Sequence, residues 1–256
     1  MDQRIIACEH AYYRCFCTHE AVPGGTRYRD AALPDMYDHN FTFAAADADP
    51  GLALRETAAR RAEGADFCKL VLPLPLAEAR ALLGAAAAQA DMGELLVYSR
   101  PAGLPCGPVR ADVRLRRYAP GADAACLRAA LLTSDLEQFE PDMHDFVRRR
   151  LARRERVYLA GGGVDAYLAS ACGQWAGSCD RMVWQGLMKL EDFNVRPALQ
   201  RQGIGSAMLA ALIAGARAEG VERSYLCTES DDTAWQMYEK FGFERAGAFT
   251  WAFWQL

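Results

Sequence analysis

The chain has 256 residues, 52% hydrophobic and 24% charged, a globular composition with room for one large or two modest domains. A net charge of −4 argues against nucleic-acid binding through bulk charge. No apolar run reaches the ~18 residues of a spanning helix, and no long apolar segment follows Met1-Asp2-Gln3-Arg4, so no membrane partner and no signal peptide are expected, and the setting is read as cytoplasmic.

Ile5, Cys8, Tyr12 and Phe16 recur at helical spacing and predict a helix with one buried face. Cys8, His10, Cys15, Cys17 and His19 crowd the same stretch, but their spacing matches no zinc pattern, so no metal is expected. Nine cysteines, an odd number with no Cys-x-x-Cys, read as reduced thiols. Tyr37-Asp38-His39-Asn40-Phe41 reads as a capped turn with packed aromatics, the alternative being a reach into an acceptor cleft. Residues 69–74 read as a strand, 77–91 as an alanine-rich helix and 94–99 as a second strand. Three prolines and two glycines between Ser99 and Arg110 break regular structure, which places a domain boundary there, with domains 1–105 and 106–256.

Past that seam, residues 109–117 alternate apolar and charged like a half-buried strand. Residues 123–136 and 143–154 read as helices. The arginines at 148, 149, 150, 153, 154 and 156 read as a solvated helix face, against a phosphate-binding role. Residues 156–170 read as two strands about Gly161-Gly162-Gly163, and 181–185 and 186–195 as further strands. A helix over 205–219, a strand over 224–228, a helix over 233–241 and strands between 243 and 254 complete an α/β chain with a mixed sheet.

Gln200-Arg201-Gln202-Gly203-Ile204-Gly205 lies between the strand over 188–195 and the helix that follows. A short loop with two glycines at a helix start offers backbone N–H groups and the positive end of the helix dipole to an anion. The other phosphate motifs fit less well. There is no Gly-Lys-Ser/Thr, and Met208 stands where a full Gly-x-Gly-x-x-Gly needs its third glycine.

About 30 residues on comes Tyr238-Glu239-Lys240-Phe241-Gly242-Phe243. In order and spacing, this run and the Gln-x-x-Gly-x-Gly loop resemble the GNAT superfamily of N-acetyltransferases, which use acetyl-coenzyme A. The resemblance covers roughly residues 110–256 and is specific from 187 to 245. It implies a GNAT fold, and the β-α-β run over 69–99 resembles a reduced, degenerate copy of part of that fold without its glycine loop. Coenzyme contacts are implied for Phe193, Asn194 and Val195, for Gln200, Arg201, Gln202, Gly203, Ile204, Gly205 and Ser206, and for Asp231, Ala234 and Tyr238. Asp231 departs from the family, which usually has asparagine there.

Acetyl transfer to an amine needs a base for the ammonium and an acid for the departing thiolate. Tyr238 matches the family's tyrosine that faces the coenzyme sulfur, and a phenol is protonated at neutral pH. Leu190-Glu191-Asp192-Phe193-Asn194-Val195 resembles the same strand of diamine (spermidine/spermine) acetyltransferases. There a glutamate at the position of Glu191 is implicated in deprotonating the amine. Glu191 is thus the candidate base, or a group that only orients a cationic substrate. Strand alternation would set Glu191, Phe193 and Val195 on one face and Asp192 and Asn194 on the other. The implied activity is transfer of acetyl from acetyl-coenzyme A to a primary amine of a small molecule, with a homodimer compatible. A protein (lysine or N-terminal) acetyltransferase and a non-catalytic acyl-coenzyme A-binding regulator are the alternatives.

Overall fold

A computed structural model describes residues 1–107, 110–121 and 123–256. They divide into two compact units. The first comprises Met1–Tyr98, Cys227–Thr233 and Arg245–Leu256, and the second Ser99–Leu226 and Ala234–Glu244. The division thus falls seven residues before the proline-glycine boundary, and the last strand of the chain groups with the first unit.

The first unit opens with α1 (Gln3–Phe16), whose N-terminus Asp2 caps by accepting from the Arg4 N–H at 2.9 Å. Ile5, Cys8, Tyr12 and Phe16 form its buried face, as their spacing predicts. A hairpin of β1 (Thr18–Val22) and β2 (Gly25–Arg29) follows, then β3 (Thr42–Ala44), α2 (Leu52–Ala62), β4 (Phe67–Leu72) and α3 (Leu76–Leu83). The expected alanine helix is α-helical only to Leu83; past Gly84, at φ 53°, it tightens into a 3-10 helix over Gly84–Gln89, and Asp91 already belongs to β5 (Asp91–Pro101). The strand order is β1-β2-β3-β4-β11-β5, where β11 is Glu244–Gln255. β3 and β4 are parallel, and β11 pairs antiparallel with β4 from Thr250↔Leu72 to Gln255↔Phe67. That pairing is why a boundary in sequence alone does not separate the units. Leu52, Leu70, Leu72, Leu83 and Trp254 fill the core beneath α2 and α3. The 37–41 segment is the packed turn its composition predicts. Buried Asn40 donates to the Leu33 and Met36 carbonyls at 2.7 and 2.9 Å and accepts from the Asp30 N–H.

The second unit holds β6 (Arg114–Arg117), α4 (Ala124–Leu136), α5 (His144–Leu159), β7 (Val164–Ala171), β8 (Gln174–Trp184), β9 (Leu187–Val195), α6 (Ile204–Ala218), β10 (Arg223–Glu229) and α7 (Trp235–Lys240). Its order is β10-β9-β8-β7-β6, with β9 and β10 parallel and the other pairs antiparallel. Val109, the expected start of the first strand here, lies outside the described residues.

Two expectations fail in α5. Residues 156–159 are not a strand. The helix runs on to Leu159 because Val147, Leu151, Arg154, Val157 and Tyr158 keep burying one face, and Gly161 at φ 66° follows its end. Nor is the arginine run solvated throughout: Arg154 is buried and the Arg150 side chain is only 13% exposed.

Among the described residues no disulfide occurs, no helix is long and apolar enough to cross a membrane, and no group of three or more His, Cys, Asp or Glu side chains is placed to hold a metal.

Candidate acyl-transfer site

The expected site residues on β9, α6 and α7 lie in the second unit, whereas Asp231 groups with the first. β9 and β10 pair only from Leu187↔Arg223 to Leu190↔Leu226. The next β9 residue is Glu191, so the candidate base stands where the parallel ladder ends.

On its other side β9 carries a bulge. Its register to β8 passes from Glu191↔Asp180 to Asn194↔Ser178, so three steps on β9 match two on β8, and Asp192 takes φ 50°. Directly paired residues share a face, so the extra residue brings Glu191 to the face that holds Asn194. The strict alternation expected from sequence breaks here.

A buried charge cluster supports the bulge from below. Arg154 on α5 donates to Asp180 and to Asp192, each at 2.9 Å, and lies 3.3 Å from Asp135 of α4. Arg150 pairs with Asp192 as well. The Tyr158 hydroxyl lies 2.8 Å from both carboxylate oxygens of Asp180. Burial raises the Asp180 carboxyl to about 6 against the pull of Arg154, with Asp192 adding to the rise. Burial likewise pushes the thiol of Cys179, which lies opposite the bulge, well up. It stays protonated and is a poor nucleophile.

The side chains at the end of β9 are committed to the scaffold. Asn194 accepts from the Ser134 hydroxyl at 2.8 Å and donates to Ser178 Oγ at 3.0 Å. Gln200 donates to the Val195 carbonyl at 3.1 Å. What these positions can offer a ligand is therefore backbone.

At the head of α6, Arg201 and Gly203 both turn left-handed, at φ 60° and 77°. Gly203 caps the helix without a side-chain hydrogen bond. The next N–H groups, of Ile204, Gly205 and Ser206, have no acceptor within the helix. Such a turn and helix start are shaped for phosphate oxygens. A Cβ on Gly205 would stand 3.3 Å from Met237 Sδ and 3.6 Å from Val195 Cγ2, so the end of β9, the start of α6 and α7 converge there. Tyr238 follows Met237 on α7 and is buried, its ring 6.1 Å from that of Phe243, and its N–H donates to the Ala234 carbonyl.

Two residues escaped the sequence reading. Lys189 is buried on β9 with its Nζ 2.8 Å from Glu191 Oε2. Spacing of two along a strand was the available signal for it. Arg110 donates to the Gln202 carbonyl at 3.1 Å, while the rest of its guanidinium is paired with Asp112. Ninety-two positions separate Arg110 from Gln202, and no local pattern announces the contact.

Residues 131–243 match the model of the acetyltransferase (GNAT) family. A comparison with curated protein sequences gave no match. A conserved protein of unknown function from Staphylococcus epidermidis aligns over 93% of this chain and 94% of its own, with TM-score 0.73 and 16% identity. A GCN5-related N-acetyltransferase from Kribbella flavida aligns over 97% of this chain and 93% of its own, with TM-score 0.66 and 17% identity. A tandem GNAT protein from the clavulanic acid biosynthesis pathway aligns over 90% and 78%, with TM-score 0.58 and 17% identity. At such identities the likeness speaks for the fold alone. Residues 131–243 thus match the GNAT acetyltransferase family model, and the fold of the chain is similar to that of solved GNAT proteins, one of them a tandem GNAT protein.

Proposed function

We propose that the second unit moves an acetyl group from acetyl-coenzyme A to a primary amine of a small molecule by direct attack. The observation that carries this reading is the sequence of features on one strand and its successor. β9 parts from β10 after Leu190, bulges at Asp192, and leads into a helix whose head turns on left-handed Gly203. A strand edge freed of its neighbour can pair with an amide-bearing chain such as pantetheine. The helix head suits its pyrophosphate.

Acetyl-coenzyme A supplies the activated thioester. In the proposal the backbone of Phe193, Asn194 and Val195 flanks its arm. The N–H groups from Gln202 to Ser206 and the charge of Arg201 face its phosphates, with Ala234 and Tyr238 beside the thiol end. Glu191, its side chain 36% exposed, takes the proton from the incoming ammonium. Tyr238 gives its phenol proton to the sulfur as the thiolate leaves. No covalent enzyme intermediate is needed, in keeping with a protonated Cys179. The proposal includes a cytoplasmic setting, allows a homodimer, and treats residues 1–105 as an accessory domain.

Only one coenzyme is expected per chain. The first unit repeats the parallel strand–helix–strand as β3, α2 and β4, but its loop over 45–51 has no Gly-x-Gly: it carries Asp47, Asp49 and Pro50, and its one glycine, the N-cap Gly51, is right-handed at φ −78°. Carboxylates there oppose phosphate. Titration calorimetry of the full chain with acetyl-coenzyme A tests this, with stoichiometry near one expected. A value near two per chain, or no binding, contradicts it.

A further inference from the structure

We propose that Lys189 is a positioning residue that holds Glu191 ionised and aimed as the base. The inference rests on the reading of Glu191 given above and goes beyond it. Lys189 Nζ lies 2.8 Å from Glu191 Oε2, and the lysine side chain is 3% exposed. An ammonium that deep is costly without a carboxylate beside it. Its other face looks onto the ring of Tyr225 on β10, with Nζ 6.0 Å from the centroid. The register pairs Tyr225 with Lys189, so strand pairing fixes the aromatic wall against which the ammonium rests.

The other charges around Glu191 are already engaged. Asp192, next along β9, is held by Arg150 and Arg154 of α5. Asp180, opposite on β8, is held by Arg154 and Tyr158, and Asp135 of α4 lies against Arg154. The sulfur of Cys179 on β8 lies against the backbone carbonyls of Asp180 and Glu191, at 3.1 and 3.6 Å. Lys189, by contrast, meets the Glu191 carboxylate directly. A cation at that range stabilises the ionised carboxylate and lowers the pH at which it becomes a competent base.

The test is the pH profile of kcat/KM for acetyl transfer by the full chain, in the wild type and in Lys189→Met, Lys189→Gln, Lys189→Arg and Glu191→Gln. Lys189→Met should move the acidic limb up by about 1–3 pH units, the usual effect of a lost opposite charge at this range. The rate on the alkaline plateau should fall as well, because the carboxylate loses the contact that aims it, but by less than in Glu191→Gln. Lys189→Arg should return the limb to its wild-type position. Lys189→Gln takes the place of Lys189→Met should the latter not fold. An unmoved limb in the neutral variants, with Glu191→Gln abolishing it, overturns the role of Lys189 alone. A limb that persists in Glu191→Gln overturns the base reading, and this inference with it.

Discussion

Gly205 and Met237 face each other across the head of α6, where a Cβ on the glycine would stand 3.3 Å from the methionine sulfur. The glycine thus serves packing as well as any ligand, and the two uses separate by substitution. Gly205→Val should cost about 1–3 kcal/mol as an overpacked site. Adding Met237→Ala should return most of that stability in urea melts but not acetyl-coenzyme A affinity, because the branched side chain still stands at the phosphate loop. Recovery of both would make Gly205 a packing residue only.

Gly203 is needed for a different reason. Space beside it is open to within 3.6 Å of the Arg110 stem, but its φ of 77° is left-handed. Gly203→Ala should cost about 1–2 kcal/mol from backbone strain alone, and Gly203→Asn less. Equal stability of wild type and Gly203→Ala in urea would show that the turn relaxes.

Arg154 is the hub of the cluster under the bulge, touching Asp135, Asp180 and Asp192. Arg154→Met leaves buried carboxylates without their cation and should destabilise by about 3–5 kcal/mol. A loss under 1 kcal/mol in chemical denaturation would mean that water or Arg150 takes over its role.

The same cluster sets a pH dependence. The Asp180 carboxyl is raised from 3.8 to about 6 by burial, so the folded state holds that proton more tightly than the unfolded state. The contribution to stability is full below the unfolded value and is lost as pH rises through about 6. The wild type should therefore lose stability relative to Asp180→Asn by up to about 1.4 kcal/mol per pH unit within that window. Parallel stability curves for the two proteins between pH 4 and 7 would contradict the shift.

Much of this was legible in the sequence because it is local. The α1 face through Ile5, Cys8, Tyr12 and Phe16, the packed turn at Asn40, and the strand, loop and helix around Gly203 each follow from spacing or residue type. The end of α5 was not. Val157 and Tyr158 favour strands by propensity, yet they continue a buried helical face begun at Val147. The bulge at Asp192 was hidden because it is a property of the pairing with β8. Arg154 looked like one more surface arginine because its three carboxylates come from α4, β8 and β9. The grouping of β11 with the first unit was out of reach too, since only its pairing with β4 reveals it.

Tyr238 is the proposed acid in transfer from acetyl-coenzyme A to an amine. The most direct measurement is release of free coenzyme A by the full chain with a panel of primary amines and lysine peptides, in the wild type and in Tyr238→Phe. Acetylated product is identified by mass. The account predicts amine-dependent release that is greatest with a small amine. It also predicts a fall of roughly 10²–10⁴-fold in Tyr238→Phe with little change in coenzyme affinity. Tight coenzyme binding without release on any acceptor, or full activity of Tyr238→Phe on the preferred amine, would contradict it.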